Sequence, residues 1–266
     1  MRNIAVSVAP VWGNTERSDP QKTAEDLIEC AGLGAGELHI HVRDRHGKLS
    51  ADLTVFHEII RLVRSRTDMV IQVSPGGISP LTMEERCVPL FEKEVEMTSL
   101  NMTSMNFGRT VRVIQPEDVD RLLELSGQAG TVAEVEVFDL GDFYTYGQYQ
   151  ARFKLGYPPL FNIGLGHEGR LPATPKALAA FLAFLPPGAR WKYTEIGRTD
   201  FAMVAAALGM GADGIRVGFE DSPYLEPGVE AKSNAEIVER TVKLIRDMGL
   251  RTAAPDEIRS MYGIRG

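Results

Sequence analysis

The sequence predicts an α/β protein, a (β/α)8 barrel, and three observations predict it. Strand-like and helix-like segments alternate from one end of the chain to the other. Eight β-then-α units fit within 266 residues, close to the roughly 250 that such a barrel takes. The stretch Val8-Ala9-Pro10-Val11-Trp12-Gly13 after the first strand is nothing like the glycine-rich dinucleotide turn of the doubly wound open sheet, which is the structural alternative. Right-handed parallel crossovers follow from the alternation. No long linker, low-complexity tract or internal repeat interrupts the chain, so one TIM-barrel domain over residues 1–266 is expected.

The strands are read from apolar, β-branched runs and the helices from 3.6-residue periodicity. The pairs in order are strand Asn3–Val8 with helix Thr23–Ala31, Glu37–Val42 with Thr54–Arg66, Met69–Val73 with Leu81–Glu94, and Glu96–Met102 with Pro116–Gln128. They continue with Thr131–Phe138 and Phe143–Leu155, Pro159–Ile163 and Thr174–Phe184, Trp191–Thr194 and Thr199–Met210, and Gly214–Val217 and Asn234–Met248. Proline stands in the first turn of the helix from Pro116, where a missing N–H costs least. Pro186-Pro187-Gly188 stops the helix before it. A short helix over Pro255–Tyr262 ends the chain.

Composition narrows the function classes. The chain is 44% hydrophobic and 24% charged, with a net charge of −7, which argues against a nucleic-acid surface. Cys30 and Cys87 form no C-x-x-C, so neither disulfides nor a cysteine zinc site are expected. No apolar run approaches the roughly 18 residues of a membrane span, and Met1–Val6 leads straight into a strand without a signal-peptide core. A cytoplasmic enzyme of small molecules is the expectation.

The chemistry starts at Glu37-Leu38-His39-Ile40-His41-Val42. Residues two apart on a strand face the same side, so His39 and His41 project together as a ready pair of metal ligands. In such barrels the functional residues gather at the C-terminal strand ends, and strands two and eight flank strand one. Gly214-Ile215-Arg216-Val217-Gly218-Phe219-Glu220-Asp221 therefore brings Glu220 toward both imidazoles, a His2Glu zinc set with an open position. An orienting role toward one histidine, or a solvated carboxylate, is the plainer reading of Glu220. Arg216 stands five residues before Asp221 and can hold it as a charged base.

Ser74, Gly76 and Gly77 form a turn whose backbone N–H groups can hold an oxyanion or carboxylate. Ser104 and Asn106 offer neutral hydrogen bonds, and Glu136 is a buried-carboxylate candidate on strand five. Arg198, after strand seven and before a helix, is the candidate for a phosphorylated cofactor, because phosphates favour that corner of a barrel. His167 is on the same face, while His46 and His57 read as surface residues.

With these residues in view, the chain resembles the beta-keto acid cleavage enzymes. The carriers are Ala9-Pro10, H-I-H-V-R-D at 39–44, Q-V-S-P-G-G at 72–77, S-L-N-M-T-S-M-N-F-G at 99–108 and E-V-F-D at 136–139. They continue with P-A-T-P at 172–175, I-G-R at 196–198, R-V-G-F-E-D at 216–221 and N-A-E-I-V-E-R at 234–240. The resemblance implies a zinc-dependent homotetramer that exchanges acyl groups between a β-keto acid and acetyl-CoA, giving acetoacetate and a new acyl-CoA. It implies His39, His41 and Glu220 as metal ligands and Ser74, Arg216 and Asp221 as catalytic residues, with Ser104 and Asn106 near substrate. Asn14 stands where an acidic residue grips the amine of an amino-substituted keto acid, so that substrate is not expected. Ser104, Pro75 and Glu195 are further departures from the family pattern.

Two rivals follow from the same residues. A metal-dependent amidohydrolase also uses H-x-H in a barrel, with His167 and Asp221 as further ligands, although its H-x-H falls on strand one. A non-catalytic ligand-binding barrel with a structural metal would close four protein ligands around the ion.

Overall fold

The computed structural model describes residues 2–11, 19–156 and 158–264. Eight parallel strands form the expected closed barrel: β1 (Asn3–Val8), β2 (Glu37–Ile40), β3 (Val70–Val73), β4 (Met97–Leu100), β5 (Val132–Val137), β6 (Leu160–Leu165), β7 (Arg190–Glu195) and β8 (Gly214–Val217). Closure is between β8 and β1, with Ala5 opposite Gly214 and Ser7 opposite Arg216. On its other side β1 pairs with β2, Ser7 opposite Glu37, so strands two and eight do flank strand one.

The helices are α1 (Pro20–Leu33), α2 (Thr54–Arg64), α3 (Met83–Cys87), α4 (Pro116–Ala129), α5 (Gly141–Phe153), α6 (Pro175–Phe184), α7 (Ala202–Gly209), α8 (Asn234–Asp247) and α9 (Pro255–Tyr262). Their starts follow local chemistry: Asp19 caps α1 through Gln21 and Lys22 N–H groups, Thr174 caps α6 and Ser233 caps α8. The apolar core fills the shell between barrel and helices, with Leu38, Ile71, Phe161, Tyr193 and Ile215 on the strands meeting Leu27, Phe56, Phe181 and Ile237 on the helices. A second apolar cluster closes the barrel floor, where Ile258 and Tyr262 of α9 pack on Ala5, Val70, Met97 and Leu160.

Several boundaries depart from the sequence expectation. The helix expected over Leu81–Glu94 is only α3 plus a 3-10 turn over Val88–Phe91, because Pro89 cannot donate to the preceding turn. The helix expected from Thr199 begins at Ala202, where the Asp200 side chain accepts from the Ala202 N–H at 2.8 Å. Strand two stops at Ile40, and His41 lies just beyond it. Two β-hairpins were not expected, Met105–Phe107 with Thr110–Arg112 and Tyr224–Glu226 with Val229–Glu230. Both turn at glycines in the left-handed region, Gly108 and Gly228. Among the described residues, no helix is long and apolar enough to cross a membrane.

Candidate active site

Inward-facing side chains of the barrel are mostly polar, and they stack in two tiers. The lower tier holds Glu37, Glu134 and Lys192, all fully buried, with the Lys192 ammonium paired to both carboxylates. The Ser7 hydroxyl donates to Glu37 Oε1 at 3.1 Å. Burial holds the Glu134 carboxyl above the ordinary range; Lys192 opposes that, and Glu37 adds to it. Burial by itself would discharge Lys192, but the two carboxylates raise its pKa instead.

The upper tier opens at the C-terminal rim and contains the metal candidates. His39, His41 and Glu220 each present a ligand atom, and these atoms lie within 4.8 Å of one another. Glu220 Oε1 is 3.5 Å from His39 Nε2 and 3.4 Å from His41 Nε2. The opposite nitrogen of His39, Nδ1, meets Gln72 Oε1 at 2.5 Å. The amide oxygen accepts only, so Nδ1 carries a proton and Nε2 is the nitrogen that faces Glu220. Register places this contact: His39 on β2 is opposite Gln72 on β3. His41 Nδ1 is buried with no partner. Burial would raise the Glu220 carboxyl, but His41 and Arg216 overcome it and hold Glu220 well below the ordinary range.

The loop carrying Glu220 is pinned by the barrel itself. The Glu220 N–H donates to Ala9 O at 3.1 Å, and the Asp221 N–H donates to Gly218 O at 3.1 Å. Phe219 N–H donates to the Asn234 side chain at 2.8 Å. Gly218 has φ 139°, and a Cβ there would sit 2.2 Å from Ala9 O, so only glycine allows this crossing of β1 and β8.

Arg216 is the hub of the charges. Its Nε and Nη2 donate to Asp221 Oδ2 and Oδ1 at 3.0 and 2.7 Å, a bidentate pair. Nη2 also donates to Glu220 Oε1 at 2.9 Å and Nη1 to Glu136 Oε1 at 2.7 Å. Asn101 Nδ2 donates to the other Glu136 oxygen at 3.0 Å. Asp221 is buried, and burial raises its carboxyl despite Arg216. The arginine alone is legible from the spacing; the removal of water, which opposes it, follows only from the fold.

The remaining candidates are dispersed. Ser74 lies within the upper tier, its hydroxyl accepting from Ser99 Oγ at 2.8 Å and from the Gly76 N–H at 3.3 Å. The Gly76 N–H is thus used within the turn, and Gly77, at φ 96°, supplies the left-handed bend. Ser104 is exposed, and its hydroxyl is spent on Ile114, donating to its oxygen at 3.2 Å and accepting from its N–H at 2.8 Å. Asn106 is exposed on the first hairpin. Arg198 is only 3% exposed and stacks on Phe201, its guanidinium carbon 4.0 Å from the ring centroid. Its Nη1 and Nη2 are buried without partners. His167 is half-buried against Phe138, and His46 and His57 are exposed as expected. Asn14 lies outside the described residues.

Among the described residues, neither His167 nor Asp221 joins the metal group, as the amidohydrolase reading required. The donor set does suit a catalytic zinc: two imidazoles and one carboxylate, with an orphaned imidazole nitrogen and a fixed tautomer. Sequence reasoning missed Gln72, Asn101, Arg112 and the Lys192 tier. Gln72 was within reach, since it is two residues before Ser74 and shares its face.

Residues 18–264 match the profile of a family described as beta-keto acid cleavage enzyme. The chain belongs to that family. It is 34% identical over 247 residues to the 3-keto-5-aminohexanoate cleavage enzyme of Fusobacterium nucleatum, covering 92% of this chain and 89% of that one. It is 28% identical to the 3,5-dioxohexanoate:acetyl-CoA acetone transferase of Paraburkholderia graminis, over 93% of this chain and 89% of that one. In fold it is similar to ObcA in a ternary complex with a C4-CoA adduct and oxalate, with a TM-score of 0.81 and 20% identity, over 94% of this chain and 67% of that one. Family membership sets the hydrolase and the non-catalytic barrel aside: this is an enzyme of the beta-keto acid cleavage type.

Proposed function

We propose that the protein is a zinc-dependent acyltransferase that converts a β-keto acid and acetyl-CoA into acetoacetate and a new acyl-CoA. The observation that carries this reading is the convergence of His39, His41 and Glu220 beside the Arg216–Asp221 pair, with Arg216 bonded to both carboxylates. Zinc held by those three side chains would supply a Lewis acid for the keto oxygen. Asp221 is the base. Arg216 fixes its position, and the raised pKa of Asp221 improves its hold on a proton taken from C2 of the keto acid, the carbon that bonds to the acetyl carbon of acetyl-CoA as the C2–C3 bond breaks and the thiolate passes to the keto carbon. Ser74 and Glu136 border the same space, with Glu136 keeping Arg216 aligned from the other side. Gly76 and Gly77 let the substrate approach the backbone closely; Ser104 and Asn106 stand further out on the rim and are assigned to the substrate entrance. Asn14 is assigned to the substrate's acyl end.

Acetyl-CoA binding is assigned to Arg198, whose two buried guanidinium nitrogens lack partners and suit a phosphate. One barrel domain over residues 1–266, cytoplasmic location and a homotetramer complete the proposal, supported by the family resemblance; molecular mass in solution tests the tetramer.

Incubating the purified protein with acetyl-CoA and a panel of β-keto acids, while following acetoacetate, tests the reaction. Metal analysis of the same sample tests zinc. In Asp221→Ala, turnover should fall by about 100-fold or more while zinc is retained, because Glu136 and Glu220 still hold Arg216. Unimpaired turnover, or an Asp221→Ala protein without zinc, would refute the assignment of the base.

A further inference from the structure

We infer that Arg112 binds a carboxylate of the keto acid, in a cavity that opens beside Ser74; this rests on the keto-acid reading above. The cavity is lined by Gly76, Arg86, Asn101, Arg112, Asp118 and Leu122, among others. It thus runs from the strand ends of the active site to the first turns of α4.

Its two arginines differ in kind. Arg86 is fully used in tying down the loop after β3: Nε donates to Leu81 O at 2.9 Å, Nη1 to Gly77 O at 2.9 Å and Nη2 to Ser79 O at 2.7 Å. The Arg112 side chain has no hydrogen bond and no ion pair among the described residues. It ends the first hairpin, opposite Met105, which carries its guanidinium over the rim and into the cavity. Burial pulls its pKa down, and Glu136, the carboxylate that opposes this, is already occupied by Arg216 and Asn101. A partly buried guanidinium with all its donors free, facing a cavity, is complementary to an anion. Asp118 opposes an anion in the same cavity, but it lies by Arg86, whose charge it supports.

Gly76 fixes where that anion comes from. A Cβ built on Gly76 would lie 3.1 Å from Arg112 Nη2 and 3.0 Å from Ser74 Oγ. The guanidinium and the hydroxyl therefore flank one glycine, and its missing side chain leaves the space between them open. A small acid that reaches Ser74 brings a carboxylate within range of Arg112. Two carboxylates meet the geometry, the one common to every β-keto acid and a second at the far end of a dicarboxylic one.

Steady-state kinetics of wild type, Arg112→Gln and Arg112→Lys would be measured with 3-oxohexanoate and with 3-oxoadipate, varying acetyl-CoA separately. Arg112→Gln should raise KM for the keto acid about 10- to 100-fold, leave KM for acetyl-CoA unchanged, and be partly rescued by lysine. A rise with both acids assigns the common carboxylate; a rise with 3-oxoadipate alone assigns the distal one. An unchanged KM for both acids, or a rise confined to acetyl-CoA, overturns the inference. If wild type turns over neither acid, the functional reading fails on its own. Calorimetric binding of 3-oxoadipate then decides: binding by wild type that Arg112→Gln abolishes keeps the anion site, and no binding by wild type, or equal binding by both proteins, removes it. Unchanged circular dichroism and Tm in both variants establish that the fold is intact.

Discussion

Glu195 shows how a single residue feels the whole barrel. It ends β7, accepts from the Tyr193 hydroxyl at 3.3 Å, and burial raises its carboxyl to about 7. An acid whose native pKa lies above its unfolded value holds its proton more tightly when folded. Its contribution to stability is therefore full below the unfolded value of 4.5 and is lost as pH rises through about 7. In Glu195→Gln that dependence disappears. Denaturation measured at intervals across this window should show wild type losing stability relative to the variant as pH rises; parallel curves would contradict the assignment. The two histidines make the same point about context. H-x-H in the sequence treats them as equals, but only His39 has a partner, Gln72, that sets its tautomer.

At the scale of the element, the decisive stretch is the passage from β8 into the loop bearing Glu220 and Asp221. Gly218 is what lets this loop cross the end of β1. Gly218→Ala places a methyl against a backbone oxygen in a region that is already left-handed, and a backbone oxygen cannot rotate away as a side chain can. The expected loss is about 2–3 kcal/mol of stability, together with displacement of Glu220. Thermal denaturation measures the first and zinc content the second; a variant with wild-type Tm and zinc would show that the crossing relaxes freely. The first hairpin teaches a different lesson. Met105–Phe107 and Thr110–Arg112 are three residues each, too short for an alternating pattern to stand out. From the sequence this stretch reads as loop, and nothing in its pattern singles out Arg112.

Across the whole molecule, the unusual feature is where the charge sits. Barrel interiors are commonly filled by branched apolar side chains. Here Glu37, Glu134 and Lys192 fill a central tier, with the apolar shell outside and α9 sealing the floor below. Lys192→Met leaves two buried carboxylates without their cation and should destabilise the protein by about 3–5 kcal/mol. Adding Glu37→Gln and Glu134→Gln to it should recover most of that loss, since the burden is the uncompensated charge and not a missing contact. Chemical denaturation of the single and triple variants measures both, and a single variant as stable as wild type would mean that water reaches this tier.

The order of strands and helices, and the gathering of His39, His41, Glu220, Asp221 and Arg216 at one rim, were legible in the sequence. Hydrophobic period gives the elements, and eight of them in alternation leave the chain few ways to close. Boundaries at Pro89 and Ala202 were less legible, because a proline and a single side-chain bond from Asp200 act within one turn. The burial that lifts the Asp221 and Glu195 carboxyls, the pairing of Gln72 with His39, and the free guanidinium of Arg112 beside Ser74 were decided only by the tertiary structure. Each depends on which strands lie side by side and how much water they exclude, and residues 33, 80 or 155 positions apart in the chain carry no local trace of meeting.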